Sequence, residues 1–368
     1  MSKYDLNHQK IFRSKIYNVN NFKKINNNNI HKLYEFMLRL RMCEEALAKE
    51  YHPADEMKCP VHFCIGQESI PAALNLLMKK KDYLFSHHRS HGFFLAKRSP
   101  MKKLFAELYG KVGGANGGIA GSQDISYPEN NFYSGAILAG SISIAVGTAL
   151  ANKLDKNNKV VFACFGESAT DEGIFWEAIN YSVLEKLPII FVCENNNYSV
   201  FSPQSKRQSG ISISMKVKSF GINTSQIFGN DVALAFLSIK DSIKKIKKGP
   251  SFIEAFTSRW SGHYGPESDD FVNYRHTSDL SFYKKNCPIK ILEKNYKIDN
   301  KLKLNYQKLI NNEIKNSFMY AKKSPFPKKI NWENANFSNK NILSKKILKN
   351  IESKKIKKNL NLFQPKGY

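Results

Sequence analysis

An α/β fold with a mostly parallel sheet and helices on both faces is what this 368-residue sequence predicts, and three observations carry that prediction. Two short runs, "VVFACF" (160–165) and "PIIFVC" (188–193), are apolar at every position, as strands covered on both faces must be. The residues between them, Asp171 to Lys186, read as a helix, giving a βαβ unit. A second helix and strand, "GNDVALAFLSIKDSIKKIKKG" and "PSFIEAFT", continue the alternation to about Thr257.

The remaining elements follow in chain order. Residues 1–29 end in "NVNNFKKINNNN", which reads as a flexible polar arm. Leu33, Phe36, Met37, Leu40 and Leu47 then fall at helical spacing within Ile30 to Tyr51. Gly66 to Lys80 and Pro100 to Tyr109 read as amphipathic helices, separated by the His-rich "FSHHRSHG". The segment "GKVGGANGGIAGS" spends its glycines as only a loop can, since glycine inside a helix costs about 0.5–1 kcal/mol relative to alanine. Ala139 to Lys153 is a helix of small residues and Lys159 to Phe165 is the first strand of the βαβ unit. These elements make residues 30–285 one α/β domain. Residues 286–368 form a Lys/Asn-rich helical extension, with a helix expected over Lys303 to Ala321.

Composition bounds the function. No run reaches the roughly 18 apolar residues of a membrane-spanning helix, and the N-terminal "MSKYDLNHQKIFRSK" lacks the apolar core of a secretion signal, so a cytoplasmic protein is expected. Six cysteines in a chain this long read as buried or idle thiols. The net charge of +26 is concentrated at the C-terminal end, where Thr277 to Tyr368 holds 22 Lys against 6 acidic residues. Those lysines are diluted with Asn and Ile, and interleaved aromatics of the kind that stack bases are few, so a solvated periphery is expected rather than a nucleic-acid surface. His87, His88 and His91 have no Cys or carboxylate at ligand spacing, and no zinc site is expected from them.

Chemistry concentrates where the two apolar runs stop. A right-handed crossover puts both strand tips on one side of the sheet, so Glu167 after the first run and Asn195/Asn196 after the second face a common space. Hard oxygen ligands suit Mg²⁺, which completes its shell with phosphate oxygens, and the helix opening near Thr170 or Asp171 directs its free N–H groups to the same place. The constellation reads as a metal–diphosphate clamp.

On these residues the sequence resembles a known family. The spacing from "GES" to "NN" is similar to the thiamin-diphosphate signature, a Gly-Asp-Gly followed just under thirty residues later by Asn-Asn. The strings "CPVHFCIGQE", "HHRSHG", "GGANGG", "NFYSGAILAG", "GIFWEAINYSVLEKLPIIFVCENNNYS" and "RWSGHYGPESDDFVNYR" resemble the alpha subunit of the decarboxylating component of 2-oxo acid dehydrogenases, of the pyruvate, branched-chain and acetoin type. The resemblance runs from about Leu33 to Arg275 and implies the thiamin-diphosphate-binding fold.

The resemblance also implies roles. Glu167, Asn196 and the carbonyl of Tyr198 stand at the family's Mg²⁺ ligands, and Ser168 and Ala169 at its backbone contacts to the diphosphate. Arg89 matches an arginine that pairs with the diphosphate, while His88 stands where the family usually has Tyr. Ala136 and Leu138 match the loop cradling the aminopyrimidine, and His62 and His263 match the two active-site histidines. The implied activity is decarboxylation of a 2-oxo acid with acyl transfer to a lipoyl group. The implied partners are a beta-type subunit in an α₂β₂ assembly and a lipoyl acyltransferase core. Glu167 replaces the family's Asp, Ser168 replaces its second Gly, and "SGAILAGS" is one residue shorter than the family loop. Acetoin cleavage, or a catalytically silent scaffold of the same fold, are the alternative readings.

Overall fold

The structure, a computed structural model, describes residues 20–328 apart from 55, 58, 210, 211 and 276. The chain divides into two units, Met1–Pro325 and Phe326–Tyr368. The second lies almost entirely outside the described residues; the sheet and its helices belong to the first.

Among the described residues eight strands form in chain order: β1 (Tyr83–Ser86), β2 (Phe132–Ser134), β3 (Val161–Gly166), β4 (Ile189–Asn195), β5 (Tyr198–Ser199), β6 (Ser202–Pro203), β7 (Asn223–Phe228) and β8 (Ser251–Phe256). Six of them make one sheet in the order β2-β1-β3-β4-β8-β7, parallel throughout. β5 and β6 pair as a small antiparallel ribbon. Gly166 lies opposite Glu194, so Glu167 and Asn196 leave the sheet at the same edge, as the crossover argument requires.

The labelled helices are α1 (Asn27–Ala54), α2 (Ser69–Leu77), α3 (Met101–Leu108), α4 (Gly140–Leu154), α5 (Gly173–Leu184), α6 (Val232–Lys245) and α7 (Asn300–Lys323). Alternate strand residues feed two apolar clusters. Phe162, Cys164, Ile190, Val192 and Ile253 join Leu40 of α1, Leu74 of α2 and Leu104 of α3. Ala163, Phe165, Phe191 and Cys193 join Ala145 of α4 and Ile179 of α5 on the other face. Both sides of β4 and β8 are therefore covered, which is why the strand sequences do not alternate.

Three expectations change. Residues 1–19 of the expected arm lie outside the described residues, but Asn20–Lys23 is helical, Phe22 and Ile25 are buried, and α1 already starts at Asn27. Asn-rich composition favours a loop, whereas here Asn26 accepts the N–H of Asn29 at 2.8 Å and caps the helix. Of the expected extension from 286, residues up to Pro325 belong to the same unit as the sheet, the helix expected over Lys303 to Ala321 is α7, and residues 329–368 lie outside the described residues. Helix α7 packs onto α3 through Phe318 and Phe105, ring centroids 4.6 Å apart, and its Glu313 takes both 2.7 Å hydrogen bonds of Arg39 on α1. Only Ile310, Ile314, Ser317 and Ala321 of α7 are buried, a stripe too narrow to stand out among its lysines. Finally, the His-rich stretch is not a plain connector: it carries the end of β1 and a short helix, His91–Ala96.

The Gly-rich segment is a loop, built around one side chain. Glu107 on α3 accepts the backbone N–H groups of Asn116, Gly118 and Ala120 at 2.7, 3.0 and 2.7 Å. Gly118 has φ +84°, and a Cβ there would lie 2.4 Å from the carbonyl carbon of Gly110, so both the turn and the close approach demand glycine.

Candidate active site

A cavity of about 220 Å³ opens at the carboxyl ends of the sheet. The segments after β1, β3, β4 and β8 each contribute to it, as expected where loops of a doubly wound sheet converge. His62, His88, Arg89, Ala136, Leu138, Glu167, Ser168, Asn196, Tyr198 and His263 all line it. Ala169 does not: it is buried in the apolar cluster beneath, against α5.

One end of the cavity is the clamp. Glu167 is 1% exposed, and its Oε1 accepts a 2.7 Å hydrogen bond from Nη2 of Arg207, which also pairs with Asp171. Burial pushes the Glu167 carboxyl above its ordinary value, and the Arg207 guanidinium opposes that shift. The short helical turn beneath is closed by the Thr170 hydroxyl, donating to the Glu167 carbonyl at 2.6 Å. The two asparagines divide their work. Asn195 points inward, donating to Gln204 and Glu254 at 3.0 and 2.9 Å, while Asn196 faces the cavity and its Oδ1 accepts the N–H of Tyr198 at 3.0 Å.

The other end holds histidines. The ring centroids of His62, His88 and His263 lie 4.9, 5.1 and 5.6 Å apart. Burial drives all three well below the ordinary imidazole value, with Arg89 adding to the effect at each. His263 falls to about 4. Each ring is thus neutral at physiological pH. Arg89 itself is fully buried, which lowers it to about 10, and its guanidinium donates to the carbonyls of Phe63 and His263. His91 lies outside the cavity. Its Nδ1 meets Glu44 at 2.8 Å and its Nε2 meets the Ser122 hydroxyl at 2.9 Å, and Ser122 in turn accepts the His62 N–H at 3.2 Å. His91 is a positioning residue for the wall that carries His62.

The lining fits a polar, anionic ligand with a hard cation. Gln67 Oε1, His87 Nε2, Glu194 Oε1 and Arg259 Nε are buried at the cavity wall without a hydrogen-bond partner among the described residues, a cost that a polar ligand or ordered water relieves. His87 Nε2 and Glu194 Oε2, at 3.5 Å, are too far apart to satisfy each other by a good hydrogen bond. Arg89 and Arg259 supply positive charge, and Glu167, Asn196 and Tyr198 supply oxygen donors without a sulfur among them. Glu167 carries a cation already, Arg207, so a metal ion there must displace that guanidinium or share the carboxylate with it.

Sequence reasoning missed Arg207 and Arg259. Arg259 sits just past a strand tip and was legible by the same rule that selected Glu167. Arg207 reaches the site only because the β5–β6 ribbon turns the chain back, and nothing in "SPQSKRQS" signals that return.

Known proteins place this architecture. The family described as "Dehydrogenase E1 component" matches residues 35–330. The chain is 32% identical to the pyruvate dehydrogenase E1 component subunit alpha of Porphyra purpurea over 310 residues, covering 80% of this chain and 89% of the relative. It is 29% identical to the protein of that name from Rickettsia bellii over 304 residues, covering 80% and 92%. Transketolase from Campylobacter jejuni superimposes with a TM-score of 0.52 at 17% identity, over 82% of this chain and 49% of that one, which shows a shared fold over about half the transketolase. The parallel sheet, the cavity at its strand tips and these likenesses together make the chain a member of the dehydrogenase E1 component family, an alpha-type chain of the thiamin-diphosphate-dependent 2-oxo acid dehydrogenases.

Proposed function

We propose that this chain is the cofactor-holding half of a heterotetrameric, cytoplasmic 2-oxo acid dehydrogenase that uses thiamin diphosphate with Mg²⁺ and passes the acyl group to a lipoyl arm. The observation that carries it is the convergence of His62, His88, Arg89, Glu167, Asn196 and His263, scattered over two hundred positions of sequence, on one cavity. Thiamin diphosphate, when bound, supplies the nucleophilic carbon and electron sink for decarboxylation.

The chain's own residues do the rest. Glu167 and the oxygens of Asn196 and Tyr198 would hold Mg²⁺, with Arg89 and the backbone around Ser168 binding the diphosphate. Ala136 and Leu138 offer an apolar wall for the ring system. His62 and His263, kept neutral by burial, can each donate a ring N–H to the substrate carboxylate and so stabilise its charge. The family relation supports a beta-type subunit as the partner that completes the cavity, with a lipoyl acyltransferase as acceptor. Pyruvate is the substrate named by the relatives' own titles, and it is the first 2-oxo acid to assay here.

Calorimetric titration of the chain with thiamin diphosphate and Mg²⁺, alone and with its beta partner, tests this reading. Saturable heat with either sample supports it. No heat in both sinks it in favour of a silent scaffold, a reading that the Glu167–Arg207 pair favours because the metal ligand is already neutralised. A complex that binds the cofactor and cleaves acetoin but no 2-oxo acid replaces the dehydrogenase activity with the specialised one.

A further inference from the structure

Three imidazoles meet in this cavity that no stretch of sequence brings together. His62 precedes α2, His88 follows β1 and His263 follows β8. Their ligand nitrogens all lie within 4.8 Å of one another. His62 is 3% exposed and its Nδ1 has no hydrogen-bond partner among the described residues, a buried lone donor or acceptor at the cavity wall.

We propose that His62, His88 and His263 form a binding site for a divalent transition-metal ion of the zinc class, distinct from the oxygen-lined clamp at Glu167 and Asn196. Imidazole nitrogen suits Zn²⁺, Co²⁺, Ni²⁺ and Cu²⁺, whereas the clamp offers oxygen, the preference of Mg²⁺. A tetrahedral zinc ion with Zn–N bonds of about 2.0–2.1 Å needs nitrogens roughly 3.3 Å apart. The rings are therefore about an ångström each from closing on an ion, a movement that side-chain rotation supplies. Three protein ligands leave a fourth position open to the cavity, the arrangement of sites that accept water or a substrate oxygen.

The surroundings preset the trio. The His62 N–H is held by Ser122 at 3.2 Å and the His263 N–H by Asp269 at 2.8 Å, so two of the three backbones are fixed. Burial keeps the rings unprotonated, the form that binds metal. Arg89 and Arg259 face the same space and oppose a cation, while Asp269 acts in its favour. His88 decides the matter chemically. It is the third ligand: without it two imidazoles remain, too few to hold a zinc-class ion, and a phenol in its place is a poor ligand at neutral pH.

The test uses the full-length chain with thiamin diphosphate and Mg²⁺ omitted, so its outcome does not depend on whether that cofactor binds. Co²⁺ is titrated in and the visible absorption of four- or five-coordinate cobalt is followed, then Zn²⁺ is added in competition. The expected result is a band saturating at one ion per chain and bleached by Zn²⁺. His88→Tyr and His62→Asn, each checked for folding by circular dichroism, are expected to weaken Co²⁺ binding at least tenfold, and the exposed-site variant His52→Gln to leave it unchanged. No band in the folded chain overturns the proposal, as does a band of equal affinity in His88→Tyr and His62→Asn.

Discussion

The two ends of the cavity meet their buried polar groups in opposite ways. At the clamp, Glu167 is matched by Arg207, Thr170 by the Glu167 carbonyl and Gln208, and Asn196 by the Tyr198 N–H. At the histidine end, His62 Nδ1 and the nearby His87 Nε2 and Gln67 Oε1 have no hydrogen-bond partner among the described residues. The first end is electrostatically closed by the chain itself. The second is kept open by a scaffold behind it, chiefly Glu44, His91 and Ser122, which spends its hydrogen bonds on the backbone that carries His62 rather than on the ring. A ligand gains at the two ends for different reasons: by exchanging one cation for another at the clamp, and by satisfying orphaned groups among the histidines.

Breaking that scaffold is expected to have the largest effect. Glu44→Ala strips a partner from both the Cys64 N–H and His91 Nδ1 inside the core, and should destabilise the fold by about 3–5 kcal/mol in denaturant unfolding. Arg207→Gln leaves Glu167 buried without its countercharge, which should cost about 2–3 kcal/mol at pH 7. The same variant should lose less at pH 5, because Glu167, already raised by burial, then takes up a proton instead of bearing an unpaired charge.

Acidification separates the ends without mutation. His263 titrates near 4 in the fold and His62 lies well below its ordinary value, against about 6.5 in the unfolded chain. Between those limits the unfolded state binds more protons, so the contribution of these histidines to stability is complete above about pH 6.5 and is lost as pH falls toward 4. Thermal unfolding of the metal-free chain across that window checks it, and a melting temperature rising on acidification would contradict it. The smallest effect expected is for Ser122→Ala, about 1–2 kcal/mol, since it removes one hydroxyl shared by His91 and the His62 N–H.

How much of this was legible depended on burial and chain distance. β3, β4 and β8 were readable because burial on both faces forces every position to be apolar. β1 and β2 have four and three residues, too few for any period to show, and β7, "NTSQIF", is an edge strand whose exposed side tolerates polar residues. Glu167 and Asn196 were readable from their place after strands, and His62 and His263 only through the family resemblance, because nothing local distinguishes them from core histidines. The Glu167–Arg207 pair was invisible for a third reason: it joins residues forty apart across a turn that has no composition of its own.

Glu107 ties the loop wall of the domain to its C-terminal helix. It sits on α3, which α7 covers, and the loop it organises is also held by α7's end, through Val112 N–H to the Pro325 carbonyl at 3.0 Å and Gly113 N–H to the Ser324 hydroxyl at 2.8 Å. Loop and helix therefore form one opening unit. In hydrogen exchange, the amides of Asn116, Gly118 and Ala120 should be protected together with those of α7, and loosening the lysine-rich helix should free a segment far from it in sequence.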